Sequence, residues 1–250
     1  NRDLYMLSVV LPAKDEAENI GHLIEEIHTS LADLYPFEII VVDDGCSDST
    51  FETALETGRT LGCDVKAIKH AYSVGQSTAI VSGVLQAKYT LMATLDADGQ
   101  NDPADLPKLV ERAQQIEAAN FCVIGYRKNR KDTPWKRFQS RFANKFRDAI
   151  LHDGVPDTGC GLKVVPTATY LRLPHFNHMH RYIPALVKRM GGEVQVQEVN
   201  HRDREHGLSK YTAWNRAWVG IVDVLGMMWL IRRGKVPMVN EIQTSNTSDD

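Results

Sequence analysis

The chain has 250 residues, of which 43% are hydrophobic and 24% are charged, and its formal net charge is −3. This composition excludes a disordered or collagen-like protein and allows one large α/β domain or two small ones with a buried core. The net charge selects no class of partner, because the acidic average conceals a local basic segment.

Apolar runs of strand length alternate with helical periodicity through the first half of the chain. The predicted strands are residues 4–11, 37–42, 65–69, 89–95 and 121–124. Helical spacing is shown by Ile20, Leu23, Ile24, Ile27 and Leu31, and in a later segment by Ile80, Val81, Val84 and Leu85. Alternation of this kind predicts a mostly parallel sheet with helices on both faces.

Two local signals predict where helices begin. Ser49 and Glu52 have the spacing of a capping box, in which each side chain accepts a hydrogen bond from the backbone N–H of the other. Pro103 suits the first turn of a helix, where a backbone N–H is not needed. The elements predicted farther on are a strand at residues 161–165, a helix near 182–190 and a strand at 193–199.

The apolar run at residues 217–231 contains Asp223 and would form a helix of about 22 Å, shorter than the ~30 Å hydrocarbon core of a membrane. Its apolar face is formed by Trp214, Trp218, Ile221, Leu225 and Met228, and Arg232, Arg233 and Lys235 follow. This pattern is typical of a helix that lies in a membrane interface. A core helix or a contact in a homo-oligomer is the alternative.

Three acidic loops follow predicted strands, at residues 12–16, 43–44 and 96–98. Ligands of parallel α/β sheets bind beyond the carboxyl ends of the strands, so we expect the three loops to meet at one edge. In an extended turn Asp96, Asp98 and Gln100 would point to the same side, as ligands for Mg²⁺ or Mn²⁺. A solvated polar turn is the alternative, because Asp, Gly and Asn are common turn residues.

Four motifs in this order resemble the family 2 glycosyltransferases. They are "SVVLPAKDEAENI" (8–20), "EIIVVDDGCSDST" (38–50), "TLDADGQNDP" (94–103) and "GLSKY" (207–211). The most similar subgroup is the polyprenyl-phosphate sugar synthases, typified by dolichol-phosphate mannose synthase. The resemblance implies a GT-A fold, a nucleotide-diphosphate sugar donor, Mg²⁺ or Mn²⁺ as cofactor, and inversion at the sugar carbon.

The resemblance also implies roles for individual residues. The nucleoside pocket would be lined by Pro12, Ala13 and Glu16, with Asp44 accepting a hydrogen bond from the base and Asp43 beside it. The diphosphate and its metal would lie against Asp96, Ala97, Asp98 and Gln100. Gly75 and Gln76 belong to the loop and helix that would close over the donor, and the cations near its phosphates would be Arg127, Arg204 and Lys210. The sequence departs from the family at Asp15, where Asn is usual, and at Cys46, where Ser is usual.

The segment from residue 125 to 147 is strongly basic, with nine Lys or Arg and one Asp, a local net charge of +8. Trp135, Phe138, Phe142 and Phe146 are interleaved with these cations, so the segment predicts an amphipathic helix. A lipid phosphate on an anionic membrane surface accounts for both features. In the family that the chain resembles this region contacts the acceptor phosphate, and the matching residues here are Arg137, Ser140 and Arg141.

We therefore expect an enzyme that transfers one hexose to a polyprenyl phosphate, dolichyl or undecaprenyl, from a UDP- or GDP-linked donor. A phosphomonoester is largely dianionic at neutral pH and needs no general base. One alternative is transfer to a hydroxyl of a glycan or glycolipid, with Asp157 as the base. The other is a non-catalytic module that binds anions or nucleic acid through the basic segment, although nucleic acid would not require the acidic loops.

The expected organisation is a GT-A domain at residues 1–211, an amphipathic helix at 212–235 and a polar, disordered tail at 236–250. The four cysteines show no paired spacing and the first residues show no secretory signal, which fits a reducing compartment. The expected location is therefore the cytoplasmic face of the membrane, as a peripheral protein.

Overall fold

The computed structural model describes residues 6–127, 147–148, 150–151, 154–202 and 213–235, with the side chains of the last range from residue 220 onwards. Its strands are β1 (Leu7–Ala13), β2 (Phe37–Asp43), β3 (Val65–Lys69), β4 (Leu91–Thr94), β5 (Phe121–Arg127), β6 (Lys163–Pro166) and β7 (Glu193–Val199). The helices are α1 (Ala17–Leu31), α2 (Thr50–Leu61), α3 (Gln76–Val84), α4 (Leu106–Gln114), α5 (Thr167–Leu171), α6 (Ile183–Arg189) and α7 (Ala213–Arg233). Short 3₁₀ turns lie at Pro103–Asp105 and Met179–Arg181.

The seven strands form one sheet in the order β3-β2-β1-β4-β6-β5-β7. β6 is antiparallel to both of its neighbours, whereas the pairs β1–β2, β2–β3, β1–β4 and β5–β7 are parallel. Helices cover the sheet, and the inner strands β1, β2 and β4 are almost wholly buried. The predicted mostly parallel α/β sheet is confirmed, and the predicted strand limits differ from the observed ones by up to three residues.

The helical periodicity of α1 is confirmed residue by residue, since its five predicted apolar positions are the buried ones. In α3 the predicted inward face is partly wrong. Ile80 and Val84 are buried, but Leu85 is 63% exposed and follows the end of the helix. Ser77 and Gly83 are buried in its place, because small side chains let α3 lie close to β1.

The helix starts were predicted correctly, but the capping box is wrong. Ser49 occupies the N-cap position of α2 and its side chain makes no capping hydrogen bond. The carboxylate of Asp48 accepts from Thr50 N instead, at 3.1 Å. Pro103 does open a 3₁₀ turn that leads into α4, and Asp102 caps it through Ala104 N at 3.1 Å.

The helix α7 extends over 21 residues, longer than the predicted apolar run. Val224 and Met227 on one face are buried against the domain, at 6% and 1% exposure. His178 Nδ1 and Asp223 Oδ2, 3.0 Å apart, join the same helix to the 3₁₀ turn that precedes α6. Within the described ranges, none of the helices combines the length and the apolar character that crossing a membrane requires.

Candidate active site

The carboxyl ends of β1, β2 and β4 meet at one edge of the sheet, as the sequence predicted. Ala13 pairs with Asp43 at the ends of β1 and β2, and Thr94 at the end of β4 pairs with Val10. The acidic loops that follow these strands therefore lie side by side. Glu16 opens α1 above this edge and accepts a hydrogen bond from Asn19 at 2.7 Å.

The segment after β4 is a tight turn, so the predicted extended row of Asp96, Asp98 and Gln100 is wrong. Asp98 Oδ1 accepts a hydrogen bond from Gln100 N at 3.1 Å, and Gly99 has a left-handed φ of +73°. The turn keeps both carboxylates at the edge of the sheet, with Ala97 between them buried at 3% exposure. The Asp-Gly dipeptide was the sequence signal for this turn.

Asp96 is held on several sides, by one residue of its own loop and by residues distant in sequence. Gln76 Nε2, at the start of α3, donates to Asp96 Oδ1 at 2.7 Å, and Asn101 Oδ1 accepts from Asp96 N at 3.1 Å. Gly161 lies against the carboxylate so closely that a Cβ there would be 2.3 Å from Oδ2. Gln76 was predicted from the sequence. Asn101, five residues after Asp96, and Gly161, which tertiary packing brings to the carboxylate, were not predicted.

The carboxylates of Asp96 and Asp98 influence each other. Burial, followed by the charge of Asp98, raises the pKa of Asp96 above its ordinary value. The charges of Lys163 and Arg127 oppose this rise without cancelling it. Neighbouring carboxylates are among the oxygen ligands that Mg²⁺ and Mn²⁺ take, so the donor set fits either ion.

A second acidic cluster lies at the same edge, where ligand atoms of Asp15, Cys46 and Asp48 are all within 4.8 Å of one another. Its groups already serve the turn: Asp48 Oδ2 accepts from Ala17 N at 3.0 Å and Asp15 Oδ1 from Ser47 N at 2.7 Å. Burial raises the pKa of the Cys46 thiol to about 11, so the thiol stays protonated at neutral pH. This donor set fits a turn-stabilising role better than a Mg²⁺ or Mn²⁺ site.

The departure from the family at Asp15 has a conformational explanation. Asp15 has a left-handed φ of +54°. Asn and Asp are the non-glycine residues that enter this region most readily. The exchange of Asn for Asp therefore keeps the backbone geometry of the loop.

The carboxylate of Asp44 is fully occupied within the protein. It accepts hydrogen bonds from His70 Nδ1 (2.9 Å), Ser73 Oγ (2.7 Å), Val74 N (2.9 Å) and Gly75 N (2.9 Å). Burial alone would raise the pKa of Asp44, but these bonds outweigh it and hold the pKa below its ordinary value. Asp44 thus fixes the loop before α3, and contact with a base would require one of these bonds to open.

Asp43 beside it is completely buried. Its Oδ1 accepts from Cys46 N at 2.6 Å, whereas Oδ2 has no hydrogen-bond partner among the described residues and lies 3.9 Å from Lys69 Nζ. The alternative that Asp43 caps the next helix is wrong, because α2 begins only at Thr50. Asp43 shapes the loop at the end of β2.

Arg127 and Asp157 form a bidentate ion pair, with Nε to Oδ2 at 2.7 Å and Nη2 to Oδ1 at 2.9 Å. Their side chains are only 11% and 7% exposed, so the alternative of Arg127 as a surface cation is wrong. Asp157 raises the pKa of Arg127, although burial opposes this. Arg147 donates hydrogen bonds to the same loop, to Val155 O at 2.6 Å and to the hydroxyl of Thr158.

The other predicted site residues divide between those near this edge and those that the structure does not describe. Gly75, with a left-handed φ of +94°, precedes α3 beside the Asp44 carboxylate, and Pro12 is partly exposed at the end of β1. Five predicted residues lie outside the described ranges, namely Arg137, Ser140, Arg141, Arg204 and Lys210.

A mostly parallel α/β sheet with an acidic turn and a buried Arg–Asp pair at its carboxyl edge defines a GT-A type of nucleotide-sugar transferase fold. The sequence model of Glycosyl transferase family 2 matches residues 8–168. The chain belongs to this family.

Two relatives are similar over most of the chain. A dodecaprenyl-phosphate galacturonate synthase of Rhizobium johnstonii is 33% identical over 231 residues, 90% of this chain and 67% of that protein. An undecaprenyl-phosphate 4-deoxy-4-formamido-L-arabinose transferase of Pseudomonas paraeruginosa is 33% identical over 210 residues, 83% of this chain and 61% of that protein. The chain thus spans about two thirds of the length of these relatives.

Solved structures share the fold at low identity. Glucosyl-3-phosphoglycerate synthase of Mycobacterium tuberculosis, crystallised with Mn²⁺, UDP and phosphoglyceric acid, matches with a TM-score of 0.65 and 18% identity over 93% of this chain and 80% of that one. A mannosyltransferase of Pyrobaculum calidifontis in complex with GDP-Man and Mn²⁺ matches with a TM-score of 0.66 and 17% identity over 92% of this chain and 65% of that one.

Proposed function

We propose that the protein transfers a single hexose from a nucleotide-diphosphate sugar to a polyprenyl phosphate, with inversion at the sugar carbon. Membership of family 2 and the names of the two relatives support the class of donor and acceptor. The observation that carries the choice of acceptor is the bidentate pairing of Asp157 with Arg127.

This pairing disfavours a hydroxyl acceptor. Both oxygens of Asp157 accept hydrogen bonds from one guanidinium, which stabilises the carboxylate as an anion, and the Asp157 side chain is only 7% exposed. A general base needs an accessible lone pair within hydrogen-bond reach of the proton it removes. A phosphate acceptor needs no general base, because its second pKa is about 6 and the phosphate is therefore largely dianionic at neutral pH.

In the proposed reaction an oxygen of the lipid phosphate forms a bond to the anomeric carbon of the sugar. The bond from that carbon to the donor diphosphate breaks, and its electron pair leaves with the nucleoside diphosphate. No proton is transferred to the enzyme. The protein therefore has to align the two phosphates across the sugar and to stabilise the charge that develops on the leaving group.

Asp96 and Asp98 are the residues that would hold Mg²⁺ or Mn²⁺, and the ion would supply charge stabilisation to the departing diphosphate. Similar folds crystallised with Mn²⁺, or with Mg²⁺ and UDP, support this assignment. Gln76 orients Asp96 through its 2.7 Å hydrogen bond. We retain Gln100 as a predicted metal ligand and Arg204 and Lys210 as predicted donor contacts. The predicted acceptor contacts are Arg137, Ser140 and Arg141.

We also propose that α7 attaches the protein to the cytoplasmic face of the membrane. The face opposite its buried residues exposes Ile221, Val222, Leu225 and Trp229, at 44%, 52%, 49% and 63%. Arg232, Arg233 and Lys235 follow and are exposed. An exposed apolar stripe beside a cluster of cations suits an anionic lipid surface, whereas a homo-oligomer is the competing outcome.

The test of the transfer reaction uses a short polyprenyl phosphate and a panel of UDP- and GDP-sugars, followed by mass measurement of the lipid product. We expect one hexose per lipid, complete loss of product in excess EDTA, and recovery when Mn²⁺ is added back. Asp98→Ala should abolish turnover, whereas Asp33→Ala, at an exposed position far from the site edge, should not.

Asp157→Asn separates the acceptor classes. We expect a modest loss, because the substitution weakens the pair with Arg127 but removes no base. Near-complete loss with retained donor binding would favour the hydroxyl acceptor. Salt-sensitive binding of RNA or DNA, with no affinity for any nucleotide-sugar, would favour the non-catalytic module instead.

A further inference from the structure

Lys163 is a buried cation that the proposed reaction does not use. It is the first residue of β6, and the residue is only 3% exposed. Within the described part of the chain its ammonium makes one hydrogen bond, to the carbonyl oxygen of Cys160, and no ion pair within 4 Å. Lys is almost never fully buried without a charged partner, so its position calls for a compensating charge nearby.

The strand pairing places Lys163 next to the acidic turn. Lys163 is the register partner of Thr94, the last residue of β4, two residues before Asp96. The Thr94 hydroxyl donates to the Gly161 carbonyl at 2.7 Å, and Gly161 abuts the Asp96 carboxylate. The Cys160 carbonyl that holds the ammonium belongs to this same short turn.

The charge of Lys163 affects the pKa of two groups around the turn, Asp96 and His180. Of the groups that lower the pKa of Asp96, Lys163 has the largest effect, ahead of Arg127. The pKa of His180 is lowered mainly by burial and additionally by the charge of Lys163. His180 Nδ1 lies 2.8 Å from Ser77 Oγ on α3. The strand register and these effects together place the Lys163 ammonium close to the Asp96 carboxylate.

We propose that Lys163 is a positioning residue for the Asp96–Asp98 pair. Because of its positive charge, the pair binds a divalent cation more tightly when the nucleotide diphosphate is also bound than when the cation binds alone. A fixed positive charge repels a lone Mn²⁺ but attracts the anionic diphosphate that accompanies the ion. The result is coupled binding, in which metal and nucleotide each increase the affinity for the other. This inference rests on the metal role in the proposed function.

The experiment measures binding, without acceptor or turnover, in Lys163→Met and in the charge-retaining control Lys163→Arg. Mn²⁺ binding is measured without nucleotide by electron paramagnetic resonance, at one pH for all three proteins. UDP and GDP binding is then measured by calorimetry at saturating Mn²⁺. We expect Lys163→Met to bind lone Mn²⁺ about tenfold more tightly and nucleotide about tenfold more weakly, and Lys163→Arg to resemble the parent protein in both.

The opposite signs distinguish electrostatics from structural damage, since a disrupted site would lose affinity for both ligands. Loss of both affinities in Lys163→Met, or no change in either, would overturn the inference. If Lys163→Met does not fold, Lys163→Gln provides the same comparison with a polar side chain. Failure of the parent protein to bind Mn²⁺ with or without nucleotide would refute the metal role itself, whereas failure with lipid acceptors alone leaves this binding test intact.

Discussion

Substituting alanine for Gly161 tests whether the position of Asp96 matters. A Cβ at residue 161 would lie 2.3 Å from Asp96 Oδ2, 2.5 Å from its Cγ and 2.7 Å from Asn101 Oδ1. Ordinary van der Waals contact begins near 3.4 Å, so the carboxylate has to retreat by about 1 Å. The backbone cannot easily move instead, because the Gly161 carbonyl accepts from Thr94 Oγ1 at 2.7 Å.

A shift of this size is large on the scale of metal coordination, where Mg²⁺–oxygen distances are about 2.0–2.1 Å. Misplacement of a reacting group by about 1 Å can lower a rate on the order of a hundredfold. Crowding a packed site costs about 1–3 kcal/mol of folding stability. We therefore expect Gly161→Ala to lose Mn²⁺ affinity by at least about tenfold and turnover by about a hundredfold, while the protein remains folded.

The assay combines Mn²⁺ binding by electron paramagnetic resonance with transfer from the preferred nucleotide-sugar and with thermal unfolding. Gly159→Ala, two residues earlier in the same loop, is the matched control. Its Cβ would meet the Arg127 guanidinium at 3.3 Å and would touch neither Asp96 nor Asp98 at under 4 Å, so Mn²⁺ binding should survive. Parent-like Mn²⁺ affinity in folded Gly161→Ala would refute the metal-holding role of Asp96.

Three further predictions concern stability and the membrane. Hydrogen bonds hold the pKa of Asp44 below its ordinary value, so the ionised carboxylate stabilises the fold above about pH 4, and this stabilisation is lost as the pH falls through the folded pKa. Asp44→Asn should therefore lower the free energy of unfolding by about 1–3 kcal/mol at neutral pH. Denaturant unfolding should show that the parent protein and the variant become equally stable in acid. Burial holds the pKa of His180 well below 6.5, so the unfolded chain binds a proton at a higher pH than the folded protein does. The free energy of unfolding should therefore decrease as the pH is lowered below about 6.5. His180→Gln should flatten this pH dependence, and an unchanged dependence would contradict a buried neutral imidazole. Trp229→Ser should weaken sedimentation with anionic vesicles severalfold, unlike Leu34→Ser at another exposed apolar position, and equal effects of both would count against α7 as the attachment surface.

The sequence predicted the elements of the fold because each one is encoded locally. The buried strands are continuous apolar runs, and α1 repeats its apolar residues at helical spacing. Since parallel strands end at a common edge, the meeting of the acidic loops followed from the order of elements alone. The site was predictable to the extent that its residues are the first ones after those strands.

The partners of the site residues were not predictable in the same way. The donors to Asp44 come from the residues 26 to 31 positions later, and Gly161 lies 65 positions after Asp96. No local pattern records such contacts, because they arise only when the sheet brings distant segments together. The extended row at Asp96–Gln100 failed for a local reason, since the Asp98 side chain and left-handed Gly99 convert the segment into a turn.

The basic segment shows how tertiary contacts change a conclusion drawn from charge alone. Of its nine Lys and Arg residues, Arg127 and Arg147 are committed to one loop, through Asp157 and through Val155 and Thr158. These two guanidiniums are largely buried, at 11% for the Arg127 side chain and 6% for Arg147. An anionic surface is worth about 1 kcal/mol per nearby cation, so removing two cations from the count lowers the electrostatic attraction by about 2 kcal/mol. The ionic-strength dependence of vesicle binding should accordingly reflect fewer cations than the sequence contains, and a dependence that requires all nine would mean that the loop releases both arginines at the membrane.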